Sequence, residues 1–223
     1  MPHNYGLLTD VDVSVLERTI DQILTDFVNQ PIKVLEIGVY GGATGKGIKE
    51  YIESKGRKCV LTGIDNNADG EPMRFGSFYD KVIEANSVDA AYLVENHSQH
   101  LIFEDSNHSF AAVVATFFCF KKKVKYDGYF AFHDTSPHIA PCTDFQKVGS
   151  KADPDSYISV RKALYEIGLF KELKPTDDEY RMGWRPEKNS PIEYKTKYGF
   201  KLIFDEADQN NPAGGVTVFT RKH

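Results

Sequence analysis

Two short clusters hold most of the groups able to do chemistry, Asp105-Ser106-Asn107-His108 and His133-Asp134-Thr135. Each closes an apolar run, His100-Leu101-Ile102-Phe103-Glu104 before the first and Tyr129-Phe130-Ala131-Phe132 before the second. Such runs predict strands, and the C-terminal ends of strands are where open α/β sheets bind ligands. A third stretch, Val34-Leu35-Glu36-Ile37-Gly38-Val39-Tyr40-Gly41-Gly42-Ala43-Thr44, reads as a buried strand turning sharply into a helix. Glycine accepts positive φ and lets a ligand approach the backbone, while the helix start offers unpaired N–H groups. A small ligand with a polar head suits that turn. Asp65 ends the run Cys59-Val60-Leu61-Thr62-Gly63-Ile64, and an acid closing the second strand of a doubly wound sheet faces a ligand's ribose. Plainer roles exist for all of these: Asp65-Asn66-Asn67-Ala68-Asp69-Gly70 has turn composition, and Asp105 and Asp134 could simply cap strand ends.

The elements that must position these groups follow from periodicity. Val13, Leu16, Ile20, Ile23, Leu24, Phe27 and Val28 recur at helical spacing, which predicts a cover helix over about residues 10–29, with Ser14 and Glu17 as a candidate capping box. Ile48, Tyr51 and Ile52 place a second helix that stops at Gly56. Lys81-Val82-Ile83-Glu84-Ala85 reads as a third strand, after which Asn86-Ser87 opens a helix through Val88, Tyr92 and Leu93. His97 and His100 read as loop and strand-edge residues rather than a metal pair. Phe110, Val113, Val114, Phe117 and Phe118 mark the face of a crossover helix between parallel strands, and residues 157–164 a further helix ending at Gly168. Residues 173–198 are polar and aperiodic, with Tyr180, Trp184 and Tyr194 as stacking surfaces, and with the loop 135–156 they are expected to form a substrate cap. Lys201-Leu202-Ile203-Phe204 and Val216-Thr217-Val218-Phe219 make a closing hairpin. The whole of residues 1–223 is expected to form one α/β domain.

Composition narrows the partners. With 223 residues and 41% hydrophobic content the chain can bury a sizeable core. A formal net charge of −5 argues against nucleic acid, and Lys121-Lys122-Lys123 with Lys125 is short enough to be a solvated helix end. No apolar span of about 18 residues suggests a membrane segment, and Met1-Pro2-His3-Asn4 does not open a signal peptide, so a cytoplasmic location is expected. Three scattered cysteines, Cys59, Cys119 and Cys142, indicate neither a disulfide frame nor a zinc site. A small-molecule ligand is the expected partner; a homo-oligomer is left open.

Spacing then separates the guests of the glycine turn. A phosphate-binding P-loop does not fit, because Gly41 to Gly45-Lys46 is one residue short and Gly47 replaces the hydroxyl residue. A dinucleotide fingerprint lacks its second glycine, since Tyr40 stands there. The pattern Glu36-x-Gly38-x-Tyr40-x-Gly42-x-Thr44 resembles motif I of class I S-adenosylmethionine-dependent methyltransferases, in the form found in catechol-type O-methyltransferases. Asp105-x-x-His108-Ser109-Phe110, followed by Tyr126-Asp127-Gly128-Tyr129-x-x-Phe132-His133-Asp134-Thr135, is similar to a pattern of bacterial O-methyltransferases acting on sugar hydroxyls, the macrocin O-methyltransferase group. The resemblance implies a Rossmann-like sandwich, with a seven-stranded, mostly parallel sheet and a C-terminal antiparallel hairpin. It implies S-adenosylmethionine held by Glu36, Gly38, Tyr40, Gly41, Thr44, Asp65, Asn86, Ser87 and Asp105. It further implies a divalent metal, Mg²⁺, on Asp105 and Asp134 with Thr135 or waters, and His108 as general base for methylation of a small-molecule hydroxyl. The chain departs from the family pattern at Glu104, Asn107, Thr116 and Thr135. A nicotinamide-dependent oxidoreductase and a non-catalytic S-adenosylmethionine-binding protein are the alternatives from other classes.

Overall fold

The central strands are apolar on both sides, so the sheet they form must be covered on both faces. The computed structural model describes residues 3–66, 77–135, 159–169, 198–207 and 214–223. Its elements are α1 Asp10–Asp26, β1 Ile32–Ile37, α2 Ala43–Ser54, β2 Cys59–Asp65, β3 Lys81–Glu84, α3 Ser87–Ala90 with a 3₁₀ turn Ala91–Leu93, β4 Gln99–Glu104, α4 Phe110–Phe120, β5 Val124–Phe132, α5 Ser159–Glu166, β6 Phe200–Glu206 and β7 Val216–Arg221. The seven strands lie in the order β3-β2-β1-β4-β5-β7-β6, parallel except where β7 runs antiparallel to β5 and β6. This is the expected α/β Rossmann-like architecture with its antiparallel ending.

Strand alternation divides the core into two layers. Val34, Leu61, Leu101, Phe103 and Val218 point to one face, where Val15, Leu16, Ile20 and Ile23 of α1 and Ile48 and Ile52 of α2 cover them. Leu35, Ile37, Ile64, Ile102, Phe130 and Phe132 point to the other, under Val113, Phe117 and Phe120 of α4 and Val160, Ala163 and Leu164 of α5. β1 pairs with both β2 and β4, so the chain order reverses at β1. The crevice beyond the carboxyl ends of β1 and β4 is where such sheets take ligands. Gly38 ends β1 there, and Asp105 ends β4. Among the described residues no helix is long and apolar enough to cross a membrane.

Several local expectations shift. The capping box of α1 is formed by Thr9 and Asp12, not by Ser14 and Glu17, because the helix starts at Asp10 and encloses both of the latter. Thr9 N–H donates to Asp12 Oδ2 at 2.9 Å and Asp12 N–H to Thr9 Oγ1 at 3.2 Å. The helix ends at Asp26, leaving Val28 exposed. On α4 the buried stripe is Val113, Thr116, Phe117 and Phe120, while Phe110 and Phe118 face outward. The Lys121 ammonium covers the Phe118 ring at 4.3 Å, which shields the exposed aromatic. β5 begins at Val124 rather than Tyr129, and a register shift opposite Gln99 and Leu101 absorbs the extra residues, with Asp127 at φ 60°. The segment after β3 is one turn of α-helix and one of 3₁₀, with Tyr92 and Leu93 exposed. The expected caps, with Tyr180, Trp184 and Tyr194, and also His138 and Cys142, lie outside the described residues.

Thr9→Ala removes the hydroxyl that caps α1 while leaving the helix sequence intact. It is expected to lower the unfolding free energy by about 1 kcal/mol, read from urea midpoints; an unchanged midpoint would remove the capping box from the account of α1.

Candidate active site at the carboxyl ends of β1, β4 and β5

The glycine turn is fixed from below by backbone contacts. Gly38 has φ 86°, and a Cβ there would run into the Asp105 carbonyl and the Ser106 Cα, so only glycine fits. Asp65, at the end of β2, reaches across with Oδ2 to accept from Val39 N–H at 2.8 Å and Tyr40 N–H at 3.0 Å. Tyr40 adopts φ 47° with its ring 81% exposed, beside the open Gly41. Gly42 starts α2 without a side-chain cap, and the Thr44 hydroxyl donates to the Tyr5 carbonyl at 3.2 Å. Glu36 is buried beneath the turn, where it accepts from the Tyr79 hydroxyl and from the Gly45 backbone N–H. A side chain at residue 45 would strike both the Glu36 carboxylate and the Tyr79 hydroxyl. Burial pushes the Glu36 carboxyl up to about 8, against the Tyr79 hydrogen bond.

The acid and histidine groups meet one strand away. Asp105 N–H donates to the Ile37 carbonyl at 2.9 Å and His133 N–H to the Glu104 carbonyl at 3.0 Å, which extends the parallel ladder to the site itself. His108 lies between two carboxylates, with Nε2 3.3 Å from Asp105 Oδ1 and Nδ1 3.1 Å from Asp134 Oδ2. His133, nearly buried, has Nδ1 2.9 Å from the same Asp105 oxygen and Nε2 3.4 Å from Asp12 Oδ2. Asp134 sits at φ 53° and accepts from Gly214 N–H at 3.1 Å. Asp105, His108 and Asp134 can each offer one ligand atom, all within 4.8 Å of one another. Burial opposes charge throughout, yet the imidazoles hold Asp105 down to about 2, and the carboxylates raise His108 and raise His133 well above its ordinary value. Glu104 is fully buried, and burial lifts it to about 7 although Ser106 Oγ donates to its Oε1 at 2.5 Å.

Residues 35–135 match a family model described as a methyltransferase domain. The match covers 101 of the 223 residues, from Leu35 in β1 to Thr135 just after β5. No curated protein matches the sequence. Among solved structures, the chain is similar to the CMeT domain of the citrinin polyketide synthase, at 14% identity and TM-score 0.56, over 94% of this chain and 52% of that one. It is similar to an O-methyltransferase from Bacillus cereus in complex with S-adenosylhomocysteine, at 10% identity and TM-score 0.54, over 95% and 83%. It is also similar to the MycE methyltransferase of the mycinamycin pathway in complex with Mg, S-adenosylhomocysteine and mycinamycin VI, at 16% identity and TM-score 0.51, over 95% and 54%. The chain thus spans about half the length of the citrinin and MycE chains. At these identities the likeness is one of fold.

The methyltransferase fold brings Glu36, Gly38, Tyr40, Gly41 and Asp65 together at the turn, and Asp105, His108 and Asp134 beside it. Other expected residues have different engagements. Asn86 Oδ1 caps α3 by accepting from Val88 N–H at 3.0 Å, and Ser87 Oγ lies 3.1 Å from Thr116 Oγ1. The Thr135 hydroxyl accepts from Thr217 Oγ1 at 2.9 Å, and its carbonyl accepts from Arg161 at 3.0 Å, so the side chain is buried in the β5–β7 seam. Ser109 caps α4, its hydroxyl accepting from Ala112 N–H at 3.4 Å. His100 is buried inside the sheet, its Nδ1 accepting from Lys33 N–H at 2.9 Å. Asp12 and Tyr79 belong to the site and were not anticipated. For Tyr79 the available signal was three glycines, 42, 45 and 63, which leave room for its ring and that of Phe78.

The buried acids make a signed prediction. A carboxyl whose folded value is raised contributes fully below its ordinary value near 4.5 and loses that contribution as pH climbs toward 8 for Glu36 and 7 for Glu104. Urea midpoints of the ligand-free protein should therefore fall between about pH 5 and pH 8, and less steeply in Glu36→Gln. A wild-type midpoint that rises over this range would contradict the assignment.

Proposed function

We propose that the chain is a metal-assisted O-methyltransferase that moves the methyl group of S-adenosylmethionine to a hydroxyl of a small molecule, a sugar, natural product or catechol-like acceptor, in the cytoplasm. The observation that carries this reading is the placement of Asp105, His108 and Asp134 with ligand atoms within 4.8 Å, on strand ends next to the glycine turn. The two carboxylates, Asp105 and Asp134, suit a hard divalent ion such as Mg²⁺ with waters completing its shell, and leave the His108 imidazole between them to take a proton. Thr135, occupied by Thr217, is the weakest of the proposed ligands. Such an ion supplies a lower pKa to an acceptor hydroxyl bound beside it.

The chain's own residues supply the rest. The uncapped start of α2 suits the methionine carboxylate, and Asp65, already anchored on the turn, suits the ribose hydroxyls. Glu36 supports the turn from below through Gly45. Asn86 and Ser87 are proposed beside the adenine. The acceptor oxygen forms a bond to the methyl carbon as the carbon–sulfur bond breaks, its proton passes to His108, and S-adenosylhomocysteine leaves. For His108 to accept that proton one ring nitrogen must first leave its carboxylate. One domain over residues 1–223, with a substrate cap at about 173–198 that excludes water, completes the proposal.

Asp65→Ala should weaken S-adenosylhomocysteine binding by about 10- to 100-fold by calorimetry, as expected for a lost charge-assisted hydrogen bond. With a hydroxyl library as acceptor, EDTA should abolish turnover and Mg²⁺ restore it. His108→Ala should lower kcat by about 10²–10⁴-fold with cofactor affinity unchanged. Turnover that survives EDTA would exclude the metal, full activity in His108→Ala would move the base elsewhere, and cofactor binding without turnover on any acceptor would favour a non-catalytic role.

A further inference from the structure

Asp12 belongs to α1, the helix expected only to cover the sheet, yet its side chain is fully buried against the acid–histidine cluster. Its Oδ2 accepts from Thr9 N–H at 2.9 Å and Thr9 Oγ1 at 2.8 Å, and lies 3.4 Å from His133 Nε2. Its Oδ1 accepts from Gly215 N–H at 2.9 Å. A helix cap needs only the Thr9 contacts. The contacts to His133 and Gly215 join α1 to β5 and β7. An imidazole held at one nitrogen can still swing about its side-chain bonds, whereas a second partner at the opposite nitrogen fixes the ring plane and the direction of the first contact. In this case the first contact is to Asp105 Oδ1, the oxygen that also faces His108. Asp134 is tied to the same seam, because Gly214 N–H donates to it next to the Gly215 N–H held by Asp12.

We propose that Asp12 is a positioning residue, which acts through His133 to set the orientation of the Asp105 carboxylate and hence the carboxylate pair that Asp105 forms with Asp134 on either side of His108. Its consequence for ion binding rests on the cation reading of that pair; its effect on His133 does not.

The test compares wild type, Thr9→Ala, which removes the hydroxyl donor to Asp12 Oδ2 but leaves the carboxylate held by the residue 9 and Gly215 amides and facing His133, and Asp12→Asn, all as the full chain. In metal-free protein labelled with ¹⁵N-histidine, the ring nitrogens of His133, assigned with His133→Gln, are read at one pH. They are expected to move in Asp12→Asn and to stay in place in Thr9→Ala. Titration with Mn²⁺ should then give a dissociation constant about tenfold or more weaker in Asp12→Asn, with Thr9→Ala unchanged, the size usual for a lost outer-layer partner. Asp12→Asn should add little to the loss already caused by His133→Gln, since both act through one ring. Unmoved His133 resonances in Asp12→Asn, or equal changes in both variants, would overturn the proposal and leave Asp12 a helix cap. If wild type binds no Mn²⁺, the cation reading falls and the ring resonances alone decide on Asp12. Should Asp12→Asn not fold, Asp12→Glu, which keeps the charge but displaces it, is expected to move the same resonances.

Discussion

Three carboxylates at the ends of α1, β4 and β5 repel one another, and those ends can meet only because two imidazoles stand between them. Asp12, Asp105 and Asp134 are each within 3.5 Å of a histidine nitrogen, and Asp105 is shared by both rings. Like charges that close disfavour each other's ionised form, while a cation between them favours it. The direction of every shift follows from this: Asp12 and Asp105 are held down and both histidines are held up, although burial acts against each of them. The backbone serves the same end. Asp134 takes a left-handed conformation, unusual for a residue with a Cβ, and its carboxylate is met by the Gly214 amide.

The glycine turn and this cluster are one mechanical unit. Gly38 lies against the Asp105 carbonyl, Gly38 N–H donates to the Ile64 carbonyl at 2.9 Å, and Asp105 N–H donates to the Ile37 carbonyl at 2.9 Å. The ends of β1, β2 and β4 are therefore locked in register where the chain order reverses. A side chain at residue 38 would push apart the turn proposed for the cofactor and the acid proposed for the metal in a single displacement. A ligand seated on the turn and a cation seated on Asp105 would accordingly feel each other through a rigid backbone rather than through a mobile loop.

What the sequence made legible was local. An apolar run followed by an acid or glycines states its own strand end, so β1, β2, β4, the glycine turn, Asp65, Asp105, His108 and Asp134 could be placed from their immediate neighbours. The losses came where partners are distant or where apolarity misleads. Asp12 and His133 are 121 positions apart, and Tyr79 and Glu36 are 43 apart, separations at which no spacing rule operates. Phe110 and Phe118 fit the apolar spacing of α4 yet face outward, and the stripe that packs includes Thr116 instead. Thr135 follows Asp134 directly, yet leaving β5 turns the two side chains to different partners, one to the cluster and one to Thr217. Its hydroxyl type suggested a ligand; its place in the β5–β7 seam gives it a structural bond.

Thr116 and Glu104 show why departures from a family pattern need the fold before they can be weighed. Thr116 completes a hydrogen bond with Ser87, joining α4 to α3 above the end of β3, so a neutral residue there has its own partner. Glu104 adds a fully buried acid on the face of β4 opposite Phe103; among the described residues only Ser106 offers its Oε1 a hydroxyl, and none of them meets Oε2. An ionised carboxylate left half unsatisfied at that depth would cost several kcal/mol, so the neutral form is the one the surroundings favour. A neutral Glu104 adds no charge to the cluster, which leaves three carboxylates facing two imidazoles. The same balance bears on His108. As long as both of its ring nitrogens face ionised acids it holds its proton and serves as their counter-charge, and it can act as a base only when something else neutralises Asp105 or Asp134. The geometry therefore makes the two roles of His108, counter-ion and proton acceptor, alternatives in time rather than a single state, and the charge on the two acids decides between them.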